Sequence, residues 1–132
     1  MLTEVSTMAS IDVVWTDYQQ ARLIDSLIKN IPIPPIIICV IHNESEKTAR
    51  RICIDGKQRL TAIRRFMDGD LAYEDQKTGK QIHYDKGEAR TRKEMTDVEK
   101  VDFQCQPISC IEYDDLTKDQ QREIFLRTNQ HQ

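Results

Sequence analysis

The sequence predicts an α+β fold, a small mixed sheet flanked by helices, and three observations carry that prediction. Residues Ala21, Leu23, Ile24, Leu27 and Ile28 recur at helical spacing. The stretch Ile36–Ile41 is an unbroken apolar run, as in a strand covered on both faces. A second apolar run, Arg51–Ile54, stops at Asp55-Gly56 and gives way at once to a basic, amphipathic, helix-forming segment that reaches about Met67.

The bounds are set by size and composition. A chain of 132 residues suits one domain with a modest core. With 31% charged and only 6% aromatic residues, the surface is well solvated and the core is expected to be mainly aliphatic. A net charge of −3 argues against a whole-surface grip on nucleic acid, so any such contact has to come from a local basic patch. No apolar run approaches the roughly 20 residues that span a bilayer, and nothing at the start resembles a secretory signal. The expected location is therefore intracellular, cytoplasmic or nuclear. Cys39, Cys53, Cys105 and Cys110 lie in apolar, strand-like runs without a Cys-x-x-Cys or a close Cys/His pair. They read as buried, reduced thiols rather than zinc ligands.

In order along the chain, residues 1–13 show no periodicity and read as a mobile lead-in. Thr16 or Asp17 caps the first helix, and Trp15 is placed to staple its start. Pro32, Pro34 and Pro35 hold the next segment extended. It leads into the strand over Ile36–Ile41, and Arg51–Ile54 pairs back after a polar connection. Beyond Met67 the pattern breaks at Asp68-Gly69-Asp70. Residues 73–94 are polar and suit either a weak hairpin around Gln81–Tyr84 or a long surface excursion. A short helix is expected over Met95–Phe103. A strand over Gln104–Tyr113 follows, with Pro107 marking an edge or a bulge. After the Asp114–Thr117 turn, a helix runs from Lys118 to Thr128 with Ile124, Phe125 and Leu126 inward.

Function is legible at the strand–Asp-Gly–helix turn. A helix start is an anion site, because free N–H donors and the positive dipole end coincide there. Asp55 is of a type preferred at caps, and Gly56 allows close approach. At about 100° per residue, Leu60, Ile63, Phe66 and Met67 share one face with Arg59 in its middle, whereas Lys57, Thr61, Arg64 and Asp68 lie on the wet side. A guanidinium on a core-facing side needs a partner. An internal salt bridge, to Asp55 or a distant acid, meets that need as a phosphate clamp does. Arg90, Arg92 and Lys93 form a small basic cluster, read either as a solvated face or as a contact to a phosphate backbone.

The stretch IDGKQRLTAIRRF closely resembles the DGQQR signature of the GmrSD-type restriction subunits. That family resembles a branch of the ParB–sulfiredoxin superfamily. VWTDYQQARLIDSLIKNIPIPPIII is similar to the family's entry helix and strand, and REIFLRTNQ to its closing segment. The likeness covers residues 14 to about 130, with two departures. Lys57 stands where the first Gln of the motif is usual, and no Pro-x-x-Gln-Arg precedes Trp15.

The resemblance implies a single ParB/sulfiredoxin-like domain over 14–132, truncated at its C-terminal end. It also implies a nucleoside triphosphate with Mg²⁺ held by Asp55, Gly56, Lys57, Gln58, Arg59, Thr61 and Asn129. Asp55 would hold the metal, and Asp55 with Arg59 would carry any hydrolysis. Asp68 and Asp70 lie at the far end of the helix from the turn. Lys57, where sulfiredoxins carry their cysteine, disfavours that chemistry. Three readings compete: a nucleotide-binding, hydrolysing domain of a DNA-defence or DNA-processing protein; a non-catalytic, nucleotide-gated module; and a degenerate structural domain. DNA would be met through another domain or partner, homo-oligomers are compatible with the family, and no nuclease motif is present.

Overall fold

The structure, a computed structural model, describes residues 5–7, 14–85, 87 and 92–129. In chain order its elements are β1 (Val5–Thr7), α1 (Asp17–Ile28), β2 (Ile36–Asn43), β3 (Thr48–Asp55), α2 (Lys57–Met67), β4 (Tyr73–Glu74), β5 (Gln81–His83), β6 (Lys93–Glu94), α3 (Asp97–Gln104), β7 (Cys110–Asp114) and α4 (Lys118–Asn129). The α+β class is as the sequence predicts. By internal packing the chain falls into two compact units. One comprises Met1–Asp12, Pro34–Lys57 and Ile108–Gln132, the other Val13–Ile33 and Gln58–Pro107.

The first unit holds a mixed sheet in the order β1-β3-β2-β7. Strands β2 and β3 pair antiparallel, as the two apolar runs predict. Strand β7 lies parallel to β2 on the far edge. Strand β1, within the stretch read as a lead-in, adds parallel to β3. Alternate residues of a strand face opposite sides, yet every residue from Ile36 to Val40 is buried. The expectation of a strand covered on both faces therefore holds. On one face, Ile37, Cys39 and Ile54 pack with Leu116, Ile124 and Phe125, so α4 covers this side of the sheet. Leu126, expected inward, is 45% exposed. Gln121 takes a buried position instead, donating from Nε2 to the Leu116 carbonyl at 3.1 Å.

The second unit is built on α1, α2 and α3 with a small sheet ordered β4-β5-β6. Thr16, rather than Asp17, caps α1. Its hydroxyl accepts the Gln19 N–H while the Gln19 side chain accepts the Thr16 N–H, a reciprocal capping box. The core departs from the aliphatic expectation. Phe66, fully buried, meets Phe103, Tyr84 and Tyr73 edge-on with ring centres 5.1, 5.7 and 6.0 Å away. Leu23, Ile24 and Leu27 of α1 pack into the same cluster. Four of the eight aromatics of this chain meet at this centre, where each buries a large area with favourable ring-on-ring geometry.

The weak hairpin around Gln81 exists, as β4 against β5. The strand foreseen over Gln104–Tyr113 is confined to Cys110–Asp114. Phe103 anchors α3 through Gln104, and Pro107, lacking an N–H, leaves the connection outside the ladder. All four cysteines are free. Cys39 and Cys53 are buried as expected, but Cys105 and Cys110 are exposed, since the first sits at the end of α3 and the second on the sheet edge. Among the described residues no helix is long and apolar enough to cross a membrane.

Candidate functional site

Strand β3 delivers Asp55 through an irregularity in its pairing. Ile38 faces Cys53 while Ile37 faces Asp55, so the register slips by one residue around Ile54. A bulge of this kind bends its strand and re-aims the side chain that follows. The Cys53 thiol donates to the Asp55 carbonyl at 3.4 Å. Gly56 then takes φ +110°, a conformation that L side chains rarely adopt, and α2 starts at the next residue. The strand–Asp-Gly–helix order expected from the sequence is thus present in the backbone.

Within α2 the buried residues are Arg59, Ala62 and Phe66. Arg59 is 5% exposed, which confirms an inward guanidinium. The stripe is rotated from the expected one. Ala62 lies at its centre, Leu60 and Ile63 are half-buried, and Met67 is 38% exposed. Small Ala62 between Arg59 and Phe66 is a contact residue that a search for large apolar side chains passes over. Of the residues expected on the wet side, Arg64 and Asp68 are exposed, whereas Lys57 and Thr61 are half-buried.

Among the described residues, Asp55 and Arg59 are the charged side chains that are buried. Both belong to the five-residue run Asp55–Arg59. Burying ionised groups is costly unless they are neutralised, and neither of these two is without a partner in the fold. Gln58 has a defined structural task, as its Oε1 accepts the Trp15 N–H at 3.1 Å and ties the first turn of α2 to the residue preceding the cap of α1. Asn129, at the end of α4, is exposed and donates from Nδ2 to the Phe125 carbonyl at 2.7 Å.

Arg65 is a residue that sequence reasoning missed. It donates to Asp17 Oδ1 at 2.8 Å, to Gln20 Oε1 at 2.5 Å and to the Asp70 carbonyl at 3.3 Å. Buried Gln20 opposite a basic helix is the available signal, but nothing in the spacing pairs them. Of the basic cluster, Arg92 and Lys93 are exposed, and Arg90 lies outside the described residues.

No group of three or more His, Cys, Asp or Glu residues is assembled for a metal among the described residues. A single carboxylate nonetheless fits magnesium, which is commonly held by one or two carboxylates together with substrate phosphates and water. Residues 12–132 match the family model described as GmrSD restriction endonuclease, N-terminal domain. No curated protein and no solved structure matches the chain.

Proposed function

The chain belongs to the GmrSD restriction endonuclease N-terminal domain family, and from that membership we propose that it is a nucleotide-binding component of a restriction system. In this reading a nucleoside triphosphate rests its phosphates on the start of α2. The carrying observation is the burial of Asp55 and Arg59 within one five-residue turn around a positive-φ glycine. A buried guanidinium, with its planar fork of donors, is suited to bidentate contact with phosphate oxygens. The N–H groups at a helix start and the absent Cβ at Gly56 favour an anion beside it. Lys57 and Thr61 border that start, and Asn129 is a candidate for the base or ribose.

A contrast among the helices supports the same reading. The sequences before α1, α3 and α4 run Thr16-x-x-Gln19, Thr96-x-x-Glu99 and Thr117-x-x-Gln120. Each closes as a capping box on its own helix. Ile54-Asp55-Gly56 precedes α2 instead, and offers no such Thr-x-x-Glu/Gln pair.

Asp55 is the residue that would hold Mg²⁺ with the triphosphate, and the metal would supply charge neutralisation at the phosphate oxygens. Arg59 would neutralise phosphate from the protein side, and the two together are the groups available to a hydrolytic step. Contact with DNA belongs to other domains or partners.

A thermal-shift panel of nucleoside triphosphates with Mg²⁺ on wild type, Arg59→Lys and Arg59→Ala tests this. At a hundredfold excess over Kd a ligand adds about 2.7 kcal/mol, a Tm rise of roughly 10 °C for a chain of this size. Arg59→Lys is expected to stay folded and lose most of that rise, because an ammonium lacks the planar fork. Labelled-nucleotide turnover then separates hydrolysis from gating. No shift with any triphosphate, together with unfolding of Arg59→Ala, leaves Arg59 a structural residue and overturns the proposal.

A further inference from the structure

Among the described residues no strand pairs with the outer side of β7, the edge of the four-stranded sheet, and the function above leaves that edge unused. Strand β7 pairs with β2 on one side, and all five of its residues are exposed. Two backbone bonds fix which of its groups point outward. The Ser109 carbonyl accepts the Ile36 N–H at 2.9 Å, and the Asp115 N–H donates to the Val40 carbonyl at 2.8 Å. Alternate residues of a strand direct their N–H and C=O to opposite sides. Residues 109, 111, 113 and 115 therefore face β2, and Cys110, Glu112 and Asp114 present theirs outward. A row of outward main-chain groups is a template for another strand.

The side chains of β7 sort by the same alternation. Ile111 lies beside Ile37 and Tyr113 beside Cys39, on the α4 side of the sheet. They remain 42% and 38% exposed. Glu112 and Asp114 lie on the opposite face. Both already have partners from within the sheet: Arg51 reaches Glu112 at 3.6 Å and the His42 ring reaches Asp114 at 3.0 Å, both pairs solvent-exposed. Strand β7 contains no lysine or proline, two devices with which natural edges repel added strands.

We propose that β7 is a strand-addition site for an extended segment of a partner protein that alternates basic with apolar residues. The apolar residues of the guest continue the Ile111 and Tyr113 face, and its lysines or arginines oppose Glu112 and Asp114. A second copy of this chain fits less well. In the antiparallel self-pairing that overlaps the whole strand, Glu112 stands directly opposite Glu112 of its copy, and like charges so placed are destabilising.

The test uses the full chain and two synthetic peptides of about eight residues, one alternating lysine with valine and one alternating glutamate with valine. Amide hydrogen exchange is followed residue by residue. The lysine peptide is expected to slow exchange at Cys110, Glu112 and Asp114, whose N–H groups point outward, and to bind about tenfold tighter than the glutamate peptide. Glu112→Pro removes an outward N–H while sparing the bonds to β2, so it is expected to abolish protection by the peptide without unfolding the sheet. Glu112→Lys is expected to reverse the preference. Absence of protection by either peptide, or equal protection by both, overturns the proposal. Concentration-dependent dimerisation that Glu112→Pro abolishes overturns it in favour of a second copy.

Discussion

At the scale of single residues, Gly56 is where backbone geometry decides the local structure. Its φ of +110° lies outside the ordinary range of L residues, and it joins β3 to α2 with no residue to spare. Gly56→Ala is expected to cost about 1–3 kcal/mol, read as a lower urea midpoint at unchanged m value. Gly79→Ala provides the contrast. Gly79 also has positive φ (+71°), but a Cβ there meets nothing within 4 Å. Its cost is about 1–2 kcal/mol from backbone strain alone, and it should leave any nucleotide-induced Tm rise intact. Gly56→Ala should diminish that rise, because the added methyl stands beside the proposed phosphate position. A Gly56→Ala protein with full nucleotide response would place the anion elsewhere. The need for glycine here was readable from the sequence. The register slip beside Asp55 was not, because neither Cys53, Ile54 nor Asp55 is a glycine or proline that would mark it.

At the scale of elements, α1 and α2 of the second unit are joined by more than apolar packing. Arg65 is 29% exposed and Asp17 is 79% exposed, so their ion pair contributes little in water. Gln20 is different, being 3% exposed. Removing the guanidinium leaves a buried amide oxygen without that donor, a loss of about 1–3 kcal/mol. Arg65→Met is therefore expected to destabilise by about that amount in urea unfolding. Asp17→Asn should change stability by less than about 1 kcal/mol. Equal losses in the two variants would mean that the surface pair carries the joint. Helix α1 was legible from its apolar spacing, and the Thr-x-x-Gln/Glu pairs that cap α1, α3 and α4 are a further signal that the sequence carries. What spacing cannot reveal is a long-range partner. Arg65 and Gln20 lie 45 residues apart, and only the packed fold brings them to hydrogen-bond distance. The same limit explains β1, whose three residues carry no periodicity and become a strand by pairing with β3.

Over the whole molecule, the two units are expected to respond to acid with opposite sign through His42 in one and His83 in the other. In the first unit, His42 on β2 hydrogen-bonds Asp114 on β7, with Asp115 and Glu44 nearby, and these raise its pKa above the ordinary 6.5. The folded state then holds the proton more tightly than the unfolded chain. Its stabilising contribution is full below about pH 6.5 and is lost as pH rises through the raised folded value. In the second unit, burial and then the charge of Arg92 lower the pKa of His83 on β5. Its Nδ1 has no hydrogen-bond partner, so nothing there rewards protonation. The penalty for charging it is absent above about pH 6.5, grows as pH falls through that value, and is complete below the lowered folded value. Segment-resolved hydrogen exchange at about pH 5 and about pH 8, corrected for the intrinsic rate, reads the two separately. Acidification is expected to strengthen protection across β2 and β7 and weaken it across β5. His42→Gln should remove the first response and leave the second, and His83→Gln should do the reverse. If both segments lose protection together on acidification, titration elsewhere dominates, and the histidines do not set the response of the two units.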